Sequence, residues 1–277
     1  MMKQMLMASA ILFTGFGVQA QALKTPAPSS TQVLKQDFGL GNIELSYSRP
    51  SVKGRKIFGD VVPFGKVWRT GANQATTLTF SDEVSIGGVA IKPGKYGMIT
   101  IPGATEWTFI ITKDLNVTSP SAYKQENDVV RVKAPSYPMP MNVETFTLSF
   151  DDVTNTSISL AMIWEKTYVS FPITTDVDKK VMAQIEQAMK ADTRPYFNAA
   201  AYYYDNNKDL AQAKIWVDKA IESNPDAYWM TLLKARIHNK MGDKAGAKAM
   251  AQKTVELATK GKNDDYIKMA SELLSSL

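Results

Sequence analysis

The hydrophobic periodicity of the chain changes once, near residue 175, and this change constrains the fold more than any other feature. Before it, apolar and polar residues alternate in short runs, as at Ile43, Leu45 and Tyr47, which is typical of strands with one buried face. After it, apolar residues recur at helical spacing and alanine becomes abundant. The 277 residues suit two modest domains. The pattern therefore predicts an α+β multidomain protein.

The first part of the chain predicts a β domain over 36–174. Eight or nine short strands with turn signals between them, such as Gly87-Gly88, indicate a sandwich or a closed barrel, and we favour an antiparallel β-sandwich. Residues 21–35 contain Pro-Ser punctuation and no apolar periodicity, which predicts a flexible leader ahead of the sandwich.

The second part, over 175–277, repeats itself with a period of 34 residues. The repeat aligns Ala201 with Ala235, Asp209 with Asp243, and Ala213 with Ala247. Small residues at these positions, followed by Pro225, are typical of tetratricopeptide-like helices, so we predict an α-helical solenoid fragment. An unrelated helical hairpin bundle is the alternative. A groove for a protein or peptide partner is predicted at Asn198, Tyr202 and Lys234.

The N-terminus has the layout of a signal peptide over residues 1–20. Lys3 precedes an apolar stretch from Met5 to Val18, which is shorter than the roughly 20 residues that a spanning helix needs. Small residues permit cleavage after Ala20 or Ala22. We expect a periplasmic or secreted protein without a membrane span, and the absence of cysteine excludes a lipoprotein.

The residue composition excludes most kinds of catalytic site. Without cysteine there are no thiol nucleophiles or thiolate metal sites, and one histidine provides neither a zinc cluster nor a serine–histidine triad in the β domain. That histidine, His238, falls at a packing position of the helical repeat. No phosphate-binding or dinucleotide motif occurs. We predict no catalytic residue, metal or cofactor, and the net charge of only +5 with the export signal argues against nucleic acid.

One segment, 49–69, is unusually basic. It carries a single acid, Asp60, against Arg49, Lys53, Arg55, Lys56, Lys66 and Arg69. Glycines and prolines break any regular element, while aromatic residues argue for an ordered loop, and arginine and lysine donors beside an aromatic ring suit an anionic group. The predicted ligand site consists of Arg49, Lys53, Arg55, Trp68, Arg69 and Asn73. The alternative is that the aromatics hold the loop to the sandwich while the arginines cap backbone carbonyls.

The same segment resembles a known family. The runs from Ser48 to Gly59 and from Val62 to Asn73 are similar to the signature of domain of unknown function family 2911, and the resemblance extends over about 36–174. It implies an exported protein of Gram-negative bacteria, and the family has no established activity or catalytic residues to transfer. The sequence departs from the family pattern at Gln74, where relatives commonly have glutamate.

Two functions follow from these features. We predict an exported, non-catalytic binding or scaffolding protein, whose helical repeats take a protein or peptide and whose basic loop takes an anionic small molecule or glycan. The alternative is a periplasmic hydrolase of envelope glycans or peptides that uses paired carboxylates. Its candidate residues are Glu44, Glu106, Glu144 and Glu165, although each is also compatible with an outward-facing strand position.

Overall fold

A computed structural model describes residues 25–277, so the signal peptide predicted over 1–20 lies outside the described residues. The chain divides into two units, one ending at Asp176 and the other comprising Val177–Leu277. The first is built of strands and the second of helices.

The described part of the first unit, residues 25–176, contains nine antiparallel strands in the order β1-β2-β3-β6-β7-β8-β9-β4-β5. Their bounds are β1 Ser30–Phe38, β2 Gly41–Arg49, β3 Thr77–Phe80, β4 Val84–Ile86, β5 Val89–Ile91, β6 Gly94–Ile101, β7 Glu106–Thr112, β8 Asp128–Asp151 and β9 Ser157–Thr174. The predicted turn at Gly87-Gly88 joins β4 to β5, and both glycines have the positive φ that such a hairpin turn requires.

Strand β8 takes part in both layers of the sandwich. It pairs with β7 through its first residues, as far as Pro135, and with β9 from Ser136 onwards. One hydrophobic core lies between the layers, where the Tyr47 and Phe146 rings are 5.8 Å apart and the Phe109 and Phe171 rings 4.7 Å apart. The fold is therefore the antiparallel β architecture that the alternating pattern predicts.

Two details of the β unit differ from the sequence-based expectation. Two of the short strands that the alternating pattern indicates, over 129–132 and 145–150, are parts of one long strand, β8, because the chain stays extended through the prolines between them and shifts register after Pro138 instead of turning. The flexible leader predicted over 21–35 is wrong for residues 30–35, which belong to β1. The alternation of β1 is not apparent from residue type, because polar Gln32 lies on the more buried side and Val33 is exposed. Tyr47 donates a hydrogen bond to the Gln32 side chain.

The second unit contains six helices. They are α1 Asp178–Ala188, α2 Tyr196–Asp205, α3 Leu210–Ser223, α4 Tyr228–Lys240, α5 Lys244–Lys260 and α6 Asp264–Ser276. No helix among residues 25–277 is long and apolar enough to cross a membrane.

The 34-residue period of the sequence has a visible counterpart in this unit. Asp209 and Asp243 are the N-caps of α3 and α5, and each side chain accepts a backbone N–H of the first turn. Ala213 and Ala247 are both fully buried on those helices. His238 is buried, and its Nδ1 lies 2.7 Å from Oδ2 of Asp243, so it supports the second cap.

Candidate functional site

A cavity of about 580 Å³ lies beside the loop that joins β2 to β3. Its volume falls within the roughly 300–1,000 Å³ range of small-molecule sites. The loop supplies most of the wall, and the remainder comes from Pro28 and Ser29 before β1, from Pro120, and from Trp164 of β9. The loop residues that line it are Pro50, Ser51, Lys53, Arg55, Val61, Val62, Pro63, Lys66, Val67, Trp68, Arg69, Gly71, Ala72 and Asn73.

Backbone hydrogen bonds hold the loop against the sheet at several points. Val52 donates to the carbonyl of Glu144, and Trp68 exchanges two hydrogen bonds with Thr100 of β6. The Glu165 carboxylate accepts from the backbone N–H groups of Ile57 and Phe58 at 3.1 and 3.4 Å. The loop is therefore an ordered part of the domain, as its aromatic residues predicted.

A cluster of aromatic rings lies between the cavity and the hydrophobic core. The indoles of Trp68 and Trp164 are stacked, with centroids 5.8 Å apart and planes inclined by 15°. Beneath them, Phe58 makes edge contacts with Trp68, Trp107 and Trp164. Trp107 is completely buried and Trp68 is half-buried, so the cluster both fastens the loop to the core and presents an aromatic surface to the cavity.

Two arginines of the lining are held in place by backbone carbonyls. Arg55 donates from Nε to Val52 at 3.0 Å and from Nη2 to Ser51 at 2.7 Å. Arg69 donates from Nη1 to the carbonyl of Thr118 at 2.7 Å. Each guanidinium has five N–H donors, so each keeps further donors after these bonds are made. Both arginines therefore do cap backbone carbonyls. These bonds orient the two guanidinium groups and leave each with further N–H donors.

The described lining of the cavity contains cationic side chains and no acidic one. Lys53, Arg55, Lys66 and Arg69 line it, and no carboxylate among residues 25–277 lies within 4.0 Å of any of their charged nitrogens. None of its described lining residues is aspartate or glutamate. Like charges brought together in a concave surface create a positive potential that attracts anions.

Strained backbone is concentrated around the same cavity. Lys53 and Asn73, which line it, have φ of 50° and 55°, and Thr70, between two lining residues, has φ of 59°. Glu165, which follows Trp164, has φ of 51°. Positive φ is uncommon for residues other than glycine and most unfavourable for β-branched threonine, whereas asparagine tolerates it better. Such strain costs of order 1–3 kcal/mol for each residue and clusters at functional sites.

Five of the six predicted ligand-site residues line the cavity, and Arg49 does not. The Arg49 guanidinium donates to the Phe146 carbonyl at 3.1 Å and to Oγ1 of Thr147 at 2.9 Å, so it joins β2 to β8. Lys66 also lines the cavity and was omitted from the predicted site although it belongs to the basic segment. Trp164 could not be assigned from sequence, because only the fold brings β9 to the loop.

None of the four candidate carboxylates of the hydrolase hypothesis lines the cavity. Glu144 and Glu165 accept backbone N–H groups of the loop, and Glu106 forms an exposed ion pair with Lys133. Glu44 lies on β2, opposite Thr79 of β3. The cavity therefore gives this hypothesis no support. Within residues 25–277, no three histidine, aspartate and glutamate side chains are grouped closely enough to hold a metal ion.

The residues predicted for a partner groove do not share one hollow. Asn198 lines a depression beside Arg194 and Tyr196. Tyr202 donates to Asp178 at 2.9 Å, and the pKa of Asp178 is lowered by Lys208 and then by this hydroxyl. Lys234 forms an ion pair with Asp218 at 2.7 Å. A separate hollow between α2, α4 and α6 is lined by aromatic and aliphatic residues, including Tyr204 and Trp229.

The fold and the cavity define a class of protein: an antiparallel β domain with a cation-lined cavity, followed in the chain by a helical unit. Residues 29–173 match the family described as protein of unknown function (DUF2911). The match spans more than half of the chain, which therefore belongs to this family, as the resemblance of the basic segment predicted. No curated protein matches the chain.

Proposed function

We propose that the β domain is a binding module for an anionic ligand, which occupies the cavity beside the β2–β3 loop. The observation that carries this proposal is the group of four cationic side chains without a described carboxylate partner, placed around an aromatic surface. Monomeric proteins normally pair or disperse such charges, because like charges held close together repel one another. A bound anion would relieve this repulsion.

The fixed positions of two lining arginines favour ligand binding. Because Arg55 and Arg69 are already fixed by backbone carbonyls, less side-chain freedom is lost when a ligand arrives. A hydrogen bond to a charged group contributes about 1.5–3 kcal/mol, and Arg55 belongs near the lower limit because it is exposed. Asn73 and Ser51 add neutral polar groups to the lining.

The test compares two lysines of the same segment. Lys66 lines the cavity and Lys56 does not, and both are exposed with no described hydrogen bond from the side chain. We expect Lys66→Ala to weaken sulfate and phosphate binding about 3- to 10-fold, roughly 0.7–1.4 kcal/mol. Lys56→Ala should leave it unchanged. Isothermal titration calorimetry at low salt, where charge effects are least screened, provides the measurement. Equal affinities for both variants would contradict the proposed site.

We further propose that the protein acts outside the cytoplasm, in the periplasm or secreted. The support is the signal-peptide pattern over residues 1–20 and the absence of cysteine. A scaffolding role for the helical unit, with a tetratricopeptide-like arrangement, stays a prediction. It is supported by the matching N-caps at Asp209 and Asp243 and by the hollow that contains Tyr204 and Trp229.

A further inference from the structure

We propose that the ligand of this cavity is an acidic saccharide, whose sugar ring lies against Trp68 while its anionic groups meet the surrounding cations. This inference rests on the proposed anion-binding function and names the ligand class for the same site. It is carried by three properties of the lining: its size, its mixture of polar groups and its apolar surfaces.

The cavity is much larger than an inorganic anion requires. Its volume of about 580 Å³ greatly exceeds the roughly 30 Å³ that one water molecule occupies in the liquid. A five-atom oxyanion would therefore leave most of it filled with water. The cations also come from two separate stretches of the loop. Arg55 is held by the carbonyls of Ser51 and Val52, whereas Arg69 is held by Thr118 beyond β7. A ligand with more than one anionic group, or one long enough to reach both, suits this arrangement.

The polar lining contains an acceptor as well as donors. The Asn73 side chain donates from Nδ2 to the Ser29 carbonyl at 2.9 Å, and no described residue donates to its Oδ1. A fully deprotonated anion such as sulfate cannot use this oxygen, because it has no proton to donate. A saccharide hydroxyl can donate to Asn73 while a carboxylate or sulfate on the same molecule accepts from the cations. The lining therefore suits a molecule with both hydroxyl and anionic groups.

The apolar surfaces of the lining also suit a saccharide. Trp68 is half-buried and lines the cavity together with Trp164, and four prolines, at 28, 50, 63 and 120, add rigid apolar walls. The C–H face of a pyranose ring can bury apolar area against an indole, which a fully hydrated inorganic ion cannot do. Sites for small molecules commonly combine such walls with a few placed polar groups.

The experiment measures four ligands on the full mature chain by calorimetry: a sulfated uronate–glucosamine disaccharide, the ring-free tricarboxylate tricarballylate, inorganic sulfate, and neutral maltose. We expect the disaccharide to bind at least tenfold more tightly than tricarballylate or sulfate, and maltose to bind least. If tricarballylate equals the disaccharide, the saccharide inference is overturned while anion binding stands. If no anion binds at all, the proposed function itself fails.

Two variants test the saccharide contacts directly. Trp68→Leu removes the indole face and should weaken disaccharide binding about tenfold, a loss several times larger than its effect on sulfate binding. Because Trp68 also packs against the core, Asn73→Gly provides a second test that tolerates the positive φ at this position. It should weaken disaccharide binding several-fold more than it weakens sulfate binding. Equal losses for disaccharide and sulfate in both variants would overturn the inference.

Discussion

Among single residues, Glu165 has an important role, because it holds the loop that lines the cavity. Its carboxylate accepts from the N–H groups of Ile57 and Phe58, both on buried residues, while its own backbone has a φ of 51°. In Glu165→Ala these two donors lose their acceptor, and leaving a buried donor unsatisfied costs about 1–3 kcal/mol. We expect a clear loss in the free energy of unfolding, measured by urea denaturation, with weaker anion binding because the loop moves.

The matched control for this prediction is Glu106→Ala. Glu106 is a strand carboxylate of the same unit, but it makes only an exposed ion pair with Lys133, so its removal should hardly affect stability. Glu165→Gln keeps one acceptor oxygen and should fall between wild type and Glu165→Ala. If Glu165→Ala were as stable as Glu106→Ala, the carboxylate would not be holding the loop.

At the scale of elements, the α5 N-cap makes the stability of the helical unit depend on pH. The pKa of Asp243 is lowered, first by the Gly246 N–H and then by His238. A carboxyl whose pKa is depressed on folding stabilises the native state above its unfolded pKa, and this contribution disappears as pH falls through the folded value. Asp243→Asn should therefore lower the urea midpoint at pH 7, and the difference from wild type should shrink at about pH 3.

The comparison for Asp243 is Glu222→Gln, which removes an exposed carboxylate on α3 that has no described hydrogen-bond or ion-pair partner. Its unfolding midpoint should follow wild type at both pH values. Far-ultraviolet circular dichroism of the full chain reports the helical transition. A difference between wild type and Asp243→Asn that stays constant with pH would show that the charge does not contribute through this cap.

Much of the element order could be predicted because most elements obey a single periodicity. The Gly87-Gly88 turn and the Asp caps of α3 and α5 depend on neighbours close in sequence, and local chemistry identifies them. Strand β1 was missed because Gln32, rather than an apolar residue, lies on its more buried side. Its hydrogen bond from Tyr47 depends on a residue 15 positions away, which no local pattern reveals.

The residues of the candidate site also fall into two groups: those that local sequence identifies and those that only the fold brings to the cavity. The cations at 53, 55 and 69 could be assigned to it from sequence because they lie in one short basic segment next to Trp68. Arg49 belongs to that segment too, yet it lies at the end of β2 and its side chain bonds to β8. Trp164 joins the site only because β9 runs beneath the loop. Charge composition thus indicated that cations line the cavity, and the long-range pairing of strands decided which residues do so.

For the molecule as a whole, the proposed export predicts where the mature chain begins. A positive residue, an apolar run and small residues before the boundary are what signal peptidase requires. We expect mass spectrometry of the protein from the envelope fraction to find an N-terminus at Gln21 or Leu23. The latter lies five positions before Pro28, the first lining residue of the cavity. Recovery of a mature protein that retains Met1 would contradict both cleavage and the proposed location.

The cavity wall draws on residues from Pro28 to Trp164, nearly the full length of the β domain. No fragment that lacks part of the stretch from 28 to 164 can carry the whole site, because its parts meet only after distant strands have paired. Contacts of such long sequence separation also form slowly and at a high entropic cost. A ligand that binds only the assembled cavity would raise the stability of the entire β domain by mass action, in proportion to the logarithm of its concentration. Ligand occupancy would therefore lengthen the lifetime of the folded protein, so that its abundance would follow the supply of its ligand.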